Sequence, residues 1–302
     1  MRMTLKTKDH YTHLEKVYWP KASYTKGDML EYYERIASIM LPYLKDRPMV
    51  MKRFPHGIKG ISFFQKNVEG KLPRFVKTAT IPAETVEKNV HYIVCQNKET
   101  LLYLANLGTV ELHPWNSRVQ KLHHPDFMIF DLDRGAGTTY DTVVQAALCL
   151  RELLEELGLA SIPKTSGKSG IHVYVPLAGK YAYDHVREIA HRVSQEMMRR
   201  HSKLATAERG EEHRHKKIFV DYLRNSVGQT AVAPYSLRAT PEATVSTPLE
   251  WREVKKGLDP KKFTIKTIFK RLAAKGDLWK PVLGKGADLK AAAKHLAVLT
   301  GA

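Results

Sequence analysis

Three aspartates that close apolar runs are the residues of this chain best placed to do chemistry. In "DFMIFDLDRGAG", Phe127, Met128, Ile129 and Phe130 read as a buried strand, and Asp131 and Asp133 follow at i and i+2. Alternation along a strand turns both carboxylates to one face. Side by side and partly buried, both stay ionised only beside compensating positive charge. Asp221 ends a second apolar run, Ile218 to Val220, in the same way. Three carboxylates with neither Cys nor convergent His suit a hard divalent cation, Mg²⁺ or Mn²⁺, rather than zinc. Two such ions held by three acids can activate a primer hydroxyl and clamp a triphosphate in phosphoryl transfer. DxD pairs also occur as solvated turn residues, but a turn does not need the apolar strand that precedes this one.

A rival chemistry reads some of the same letters. "FDLDRGAGTT" is close to the haloacid dehalogenase signature, with a nucleophilic first Asp and a general-acid second. Here Arg134 intervenes, the threonines come late, and no acidic pair follows Asp221. A phosphate site has its own candidates. In "KTSGKSGIHVYVPL" (Lys164 to Leu177), Gly167 and Gly170 permit a tight turn that can aim N–H groups at an anion. Ser166 and Ser169 add hydroxyls and Lys168 adds charge, although GxxxxGK[ST] is absent and many hairpins carry such letters. His172 shares a strand face with Tyr174, where a histidine serves either structure or substrate. Lys52 and Arg53 end one strand, His113 ends "TVELH" and Arg238 ends "APYSLR", cations individually ordinary and jointly consistent with a triphosphate site. Phe63 and Phe64 could stack on a base, but neighbours on a strand face opposite ways, so at least one is expected in the core.

The elements that must position these groups alternate between helix and strand signals. "TKGDMLEYYERIASIMLPYL" carries Leu30, Tyr33, Ile36, Ala37 and Met40 at helical spacing, with Thr25 as cap and Pro42 as stop. "RPMVMKRFP", "GISFFQKN" and "TVELHPW" read as strands, and "KETLLYLANLG" as a short helix capped by Gly108. "TTYDTVVQAALCLRELLEELG" is an amphipathic helix ended by Gly158. A strand–turn–strand, a helix over Tyr183 to Arg200, and strands in "HKKIFVDYLRN" and "QTAVAPYSLR" follow. From Trp251 the chain reads as Lys-rich short helices and loops. Strands and helices not in strict βαβ alternation predict an α+β fold. No linker separates independent domains, so residues 1–302 are expected to form one catalytic domain.

Composition sets the partner class. The 302 residues are 43% hydrophobic, enough for a real core. Lys and Arg number 49 against 31 Asp and Glu, a formal charge of +18, which points to a polyanion, nucleic acid ahead of an anionic membrane. No apolar run reaches the length of a membrane span, and "MRMTLKTKDH" is too polar for a signal peptide. Cys95 and Cys149 form no CxxC pair, fit a reducing cytosol, and are expected in the core.

"DFMIFDLDRG", "KTSGKSGIHVYVPL" and "IFVDYLRNSVGQTAVAPYSLRATPEATVSTPLEW" together resemble the polymerase domain of bacterial DNA ligase D, in the archaeo-eukaryotic primase superfamily. "HLEKVYWPKASYTKGDMLEYYERIASIMLPYLKDRPMVMKRFPHG", "FFQKN", "LANLGTVELHPW" and "LDPKKFTIKTIFKRL" extend the resemblance over nearly the whole chain. It implies two packed α/β modules with mixed sheets, approximately 1–115 and 116–302, the catalytic sheet like an RNA-recognition motif. It implies a template-directed polymerase that adds nucleotides, often ribonucleotides, at breaks and gaps during non-homologous end joining. Divalent metal, commonly Mn²⁺, would sit on Asp131, Asp133 and Asp221. Ser166, Lys168, His172, Arg238, His113 and Lys52 would serve the nucleotide, Phe63 or Phe64 its base, and Arg214 the active site. Lys16 and Lys26 match lysines that hold the 5′-phosphate on the downstream side of a gap.

The chain departs from the family pattern in two places. The turn reads Gly167-Lys168-Ser169-Gly170 where the family has Gly-x-Lys-Gly, and Arg224 stands where some relatives carry Gln, bearing on template contacts. No KxDG ligase signature and no HxxH-rich phosphoesterase segment is present, so the chain is either a stand-alone polymerase or a domain excised from a larger ligase; if it stands alone, a separate DNA ligase, together with Ku, is the expected company. The expected location is cytoplasmic, at the nucleoid. Two other functions fit: a stand-alone primase or gap-filling excision-repair polymerase, and a non-catalytic DNA-break-binding module, which would gain from losing acids near DNA.

Overall fold

The computed structural model describes residues 11–82, 88–208, 210, 214 and 216–300. The chain divides into two units. The first runs to Trp115 and includes Thr230–Ser246 and Lys261–Arg271; the second holds Asn116–Gln229, Thr247–Pro260 and the chain from Leu272.

In the first unit, β1 (Val17–Trp19) and β2 (Tyr24–Thr25) form a small ribbon. Thr25 then caps α1 (Lys26–Leu44): its Oγ1 accepts from Asp28 N while the Asp28 carboxylate accepts from Thr25 N. The helix buries Leu30, Tyr33, Ile36, Ala37 and Met40, the predicted stripe. Pro42 does not stop it. In the last turn a proline forfeits a single backbone bond, and the helix runs on to Leu44, closed by Lys45 N donating to Leu41 O at 3.0 Å. Next come β3 (Pro48–Arg53), β4 (Phe63–Gln65), β5 (Lys77–Pro82), β6 (Asn89–Val94), α2 (Lys98–Asn106) and β7 (Thr109–Pro114). The sheet order is β4-β3-β6-β5, with β7 also paired to β3. Gly108, with φ +81°, follows α2 as predicted and turns the chain into β7.

The second unit follows from β8 (Phe127–Arg134), α3 (Tyr140–Glu156), β9 (Ile162–Thr165), β10 (Ile171–Pro176), α4 (Tyr183–Arg200), β11 (Ala205–Thr206) and β12 (Ile218–Asp221). The sheet order is β11-β12-β8-β10-β9. Without β11 this is a βαββαβ unit of four antiparallel strands, with β8 and β10 central, the split arrangement of ferredoxin-like and RNA-recognition sheets. The apolar run that opens β8 is fully used: Met128, Ile129, Phe130 and Leu132 are all solvent-inaccessible. Two C-terminal helices, α5 (Ile268–Lys275) and α6 (Leu289–Thr300), complete the described chain.

Three further expectations change. "QTAVAPYSLR" is not a strand but a looped segment with isolated bridges at Thr230 and Leu237, broken by Pro234 and by Tyr235 at φ +64°. Neither Phe63 nor Phe64 is core: they are 43% and 56% exposed, because β4 is a short edge strand. Cys95 is buried, but Cys149 is only half-buried. Among the described residues no helix is long and apolar enough to cross a membrane.

Candidate active site

In the second unit the strand register lines up Asp221 on β12, Asp131 on β8, His172 on β10 and Lys164 on β9 as successive Cα partners. Register partners project to one face, so the row runs from two acids to two basic groups. Asp133 lies two residues along β8 on the same face. Asp131 is 5% exposed, and His172 Nε2 lies 3.2 Å from its Oδ1. Arg224 Nε lies 3.3 Å from Asp131 Oδ2 and 3.2 Å from Asp221 Oδ2. Leu223 N donates to Asp221 Oδ1 at 3.0 Å.

Arg224 is placed by its neighbour. Asn225 is completely buried; its Oδ1 accepts from Ile129 N at 2.8 Å and its Nδ2 donates to Ile129 O at 2.7 Å. This clamp fixes the short turn Leu223–Asn225 against β8. Gly135, just past β8, is required by close approach: a Cβ there would stand 1.8 Å from Arg214 O and 2.4 Å from Lys217 O. Arg214 itself stacks on Phe219, with its guanidinium carbon 3.7 Å from the ring centre.

The electrostatics follow from these positions. Burial alone would raise the Asp131 carboxyl; His172, with Arg224 and Lys164, outweighs it and holds the group well below the usual carboxylate range. Asp133 goes the other way. The Asp131 charge, then burial, push it up to about 7, against the opposing pull of Arg224 and Arg214. One of three clustered acids is therefore poorly compensated by the protein, which is the condition a bound cation relieves. The donors are all carboxylate oxygens, so the set fits a hard ion. Among the described residues no three His, Cys, Asp or Glu side chains stand ready as a metal cage. Here two of the acids are spanned by the Arg224 guanidinium.

The small-residue turn is braced internally. Ser166 Oγ accepts from Lys168 N at 3.2 Å and Gly170 N at 3.0 Å, and Ser166 N donates to Gly170 O at 2.9 Å. Two turn N–H groups are thus directed at the serine hydroxyl. Gly170 also passes β8 closely, since a Cβ there would meet Leu132 O at 2.5 Å.

In the first unit a second set gathers on one sheet. Lys52 on β3 is the register partner of Phe64 on β4 and of Glu111 on β7. Lys52 Nζ lies 5.1 Å from the Phe64 ring centre, and the Arg53 guanidinium lies 5.4 Å from that of Phe63. His113 meets Phe64 edge-on, with ring centres 5.5 Å apart. Glu111 Oε2 lies 3.3 Å from His113 Nε2 and 3.5 Å from Arg238 Nη2. Elsewhere in this unit Lys16 Nζ donates to Pro55 O at 2.9 Å and contacts His56 Nδ1 at 3.2 Å. Lys26, 4% exposed, donates to Thr12 O at 2.7 Å and to Thr12 Oγ1 at 3.2 Å. Burial first, and Lys16 second, lower the Lys26 ammonium to about 8.

Reading the letters alone missed Glu111, Lys164 and Asn225. Glu111 had one available signal, its i, i+2 spacing from His113 on a strand; Lys164 and Asn225 had none, because only the register brings them to the acids.

Comparison with known proteins places a chain of this fold and acid cluster among the primase-polymerases. A family model described as the LigD primase-polymerase domain matches residues 25–279, and the chain belongs to that family. It is 34% identical over 267 residues to the bifunctional non-homologous end joining protein LigD of Bacillus subtilis, covering 88% of this chain and 43% of that one. Against the multifunctional non-homologous end joining protein LigD of Mycolicibacterium smegmatis it is 31% identical over 275 residues, covering 90% and 35%. The chain thus spans less than half the length of these relatives. Among solved structures it matches the polymerase domain from Mycobacterium tuberculosis ligase D in complex with DNA at a TM-score of 0.84 and 28% identity, covering 95% of this chain and 99% of that one.

Proposed function

We propose that this chain is a template-directed nucleotidyltransferase that extends a 3′-hydroxyl at DNA breaks and gaps during non-homologous end joining. The observation that carries the reading is the placement of Asp131, Asp133 and Asp221 on one face of adjoining antiparallel strands. Its support from relatives is family membership and likeness to a polymerase domain solved with DNA. Asp131, Asp133 and Asp221 would hold two divalent ions, Mn²⁺ or Mg²⁺. When bound, such ions lower the pKa of the attacking hydroxyl and neutralise charge on the leaving pyrophosphate.

The protein's own groups orient and compensate. His172 and Lys164 steady Asp131 from one side, so its oxygens keep a fixed direction. Arg224 shifts off the carboxylates or shares them when cations enter. Arg214 offsets charge near Asp133. Ser166 braces the turn that leads into β10, with Lys168 available to a phosphate. In the first unit we assign Lys52, His113 and Arg238 to the nucleotide's phosphates or sugar and Phe63 or Phe64 to base stacking, both rings being exposed enough to serve. Lys16 and Lys26 are assigned to the 5′-phosphate across the gap. No side chain is needed as general base.

The substrates would be NTPs or dNTPs, with ribonucleotides preferred, and the partners broken DNA and Ku at the nucleoid, with a DNA ligase activity to seal the product. The test is primer extension on a 5′-phosphorylated gap with each metal and each nucleotide sugar. Asp131→Asn and Asp221→Asn proteins that fold and bind DNA should not extend the primer. Extension near the parent rate by either would remove the assignment. Binding of gapped DNA without any nucleotide addition by the parent would favour a break-binding module instead.

A further inference from the structure

Glu111 is a carboxylate buried to 1% exposure in a chain of charge +18, on a sheet that also carries Lys52, Phe64 and His113. Burying a carboxylate is costly unless its oxygens are paired, and here each oxygen has a distinct task. Oε1 accepts from Ala239 N at 3.1 Å, which fixes the backbone just after Arg238. Oε2 lies 3.3 Å from His113 Nε2 and 3.5 Å from Arg238 Nη2. One oxygen therefore spans two groups that come from β7 and from a loop more than a hundred residues later. Across the strands Glu111 is also the register partner of Lys52.

We propose that Glu111 is a positioning residue for nucleotide binding: it holds His113 and Arg238 at fixed spacing before substrate arrives, so that binding does not have to order them. This rests on the assignment of His113 and Arg238 to the nucleotide. A loop arginine carries rotamer entropy that a polyphosphate would otherwise freeze out at its own expense. Setting the guanidinium beforehand moves that cost to folding.

Glu111→Gln tests this with little change of shape. A glutamine has one acceptor oxygen. If that oxygen keeps the Ala239 N–H, the amide NH₂ points at the donors of Arg238 and repels them; if it turns, Ala239 N loses its acceptor. Steady-state kinetics on a gapped substrate should show a nucleotide KM raised about tenfold, as expected for losing one charge-assisted bond, with kcat changed much less. DNA affinity should stay at the parent value. His113→Ala and Arg238→Ala should raise KM as well. Glu111→Gln combined with Arg238→Ala should be less than additive, because the part of the Glu111 effect that runs through Arg238 is already lost while the part through His113 remains.

A Glu111→Gln KM within twofold of the parent, with His113→Ala and Arg238→Ala both impaired, overturns the inference and leaves the nucleotide assignment standing. So does full additivity with Arg238→Ala. If His113→Ala and Arg238→Ala leave KM unchanged, the assignment itself fails and the inference with it. Should Glu111→Gln not fold, Glu111→Asp, which keeps the charge but withdraws it by a methylene, should raise KM; a parent-like KM there is equally fatal.

Discussion

Raising the pH should weaken recognition of a 5′-phosphate at a gap by an amount that Lys26 sets. Its ammonium is held at about 8, first by burial and then by Lys16. A terminal phosphomonoester loses its second proton near 6 and is a dianion at both pH 7 and pH 9, so the ligand's charge is constant over that range. At pH 7 about nine-tenths of Lys26 is charged and at pH 9 about one-tenth, from its pKa alone. Binding the dianion supplies the missing counter-charge and raises the pKa toward the free-lysine value, so the complex stays protonated. Affinity for the phosphorylated end should then fall about tenfold from pH 7 to pH 9, ~1.4 kcal/mol. Unfolding does not mimic this. Between about 8 and 10.5 the unfolded chain binds more protons at this lysine than the native one, so its contribution to stability rises with pH. The assay is fluorescence anisotropy at fixed salt on matched gaps ending in 5′-phosphate or 5′-hydroxyl, the hydroxyl series removing effects common to both. Lys26→Met should show the weak pH 9 ratio at both pH values. A phosphate-to-hydroxyl affinity ratio that is flat from pH 7 to pH 9 in the parent would refute the reasoning.

Other outcomes follow from the same geometry. Asp131→Asn should abolish extension and lose Mn²⁺ binding by electron paramagnetic resonance while DNA affinity holds or rises, since a charge opposing the phosphates is gone. Asn225→Ala removes two buried bonds to Ile129 and should cost about 2–3 kcal/mol in denaturant unfolding; a cost near zero would mean the Leu223–Asn225 turn is held elsewhere. DNA affinity should fall steeply and linearly in log–log form with salt, and a flat titration would contradict a phosphate-dominated interface. Competition between GTP and dGTP opposite template C should favour GTP, and equal use would remove the ribonucleotide assignment.

Local pattern was enough to place much of the secondary structure. The helical stripe of α1, its Thr25 cap, the Gly108 turn and the apolar approach to Asp131 are all short-range signals, and each element formed where they stood. What failed was also local. Pro42 was overridden because a last turn loses little to a proline. "QTAVAPYSLR" alternates like a strand, yet Pro234 and the left-handed Tyr235 prevent a ladder. Adjacent Phe63 and Phe64 would have split between core and surface in a central strand, but β4 lies at an edge. Among the site residues, the carboxylates were readable because a charge at the end of a buried strand is costly wherever it occurs. Of the groups that make it tolerable, Lys164 went unread, and His172 and Arg224 were read for the nucleotide and the template, because only the register and the Leu223–Asn225 turn bring them to Asp131.

That asymmetry has one physical origin in both units. On β8 the carboxylates are negative and their buried partners are basic: His172 next to Asp131, and Lys164 beyond it, fully inaccessible. On β7 the sign is inverted, with His113, Arg238 and Lys52 around a single buried Glu111. In each case a polar group that could move is pinned by an opposite charge below it, and the fold bears the desolvation cost. A chain of charge +18 gains nothing in net DNA attraction from burying Glu111, nor does a three-acid cluster gain compactness from Asp133 held at about 7. Both features weaken the free protein. They are accounted for if the charges they hold in place meet a ligand of opposite sign, a cation at the aspartates and a polyanion at the His113–Arg238 pair.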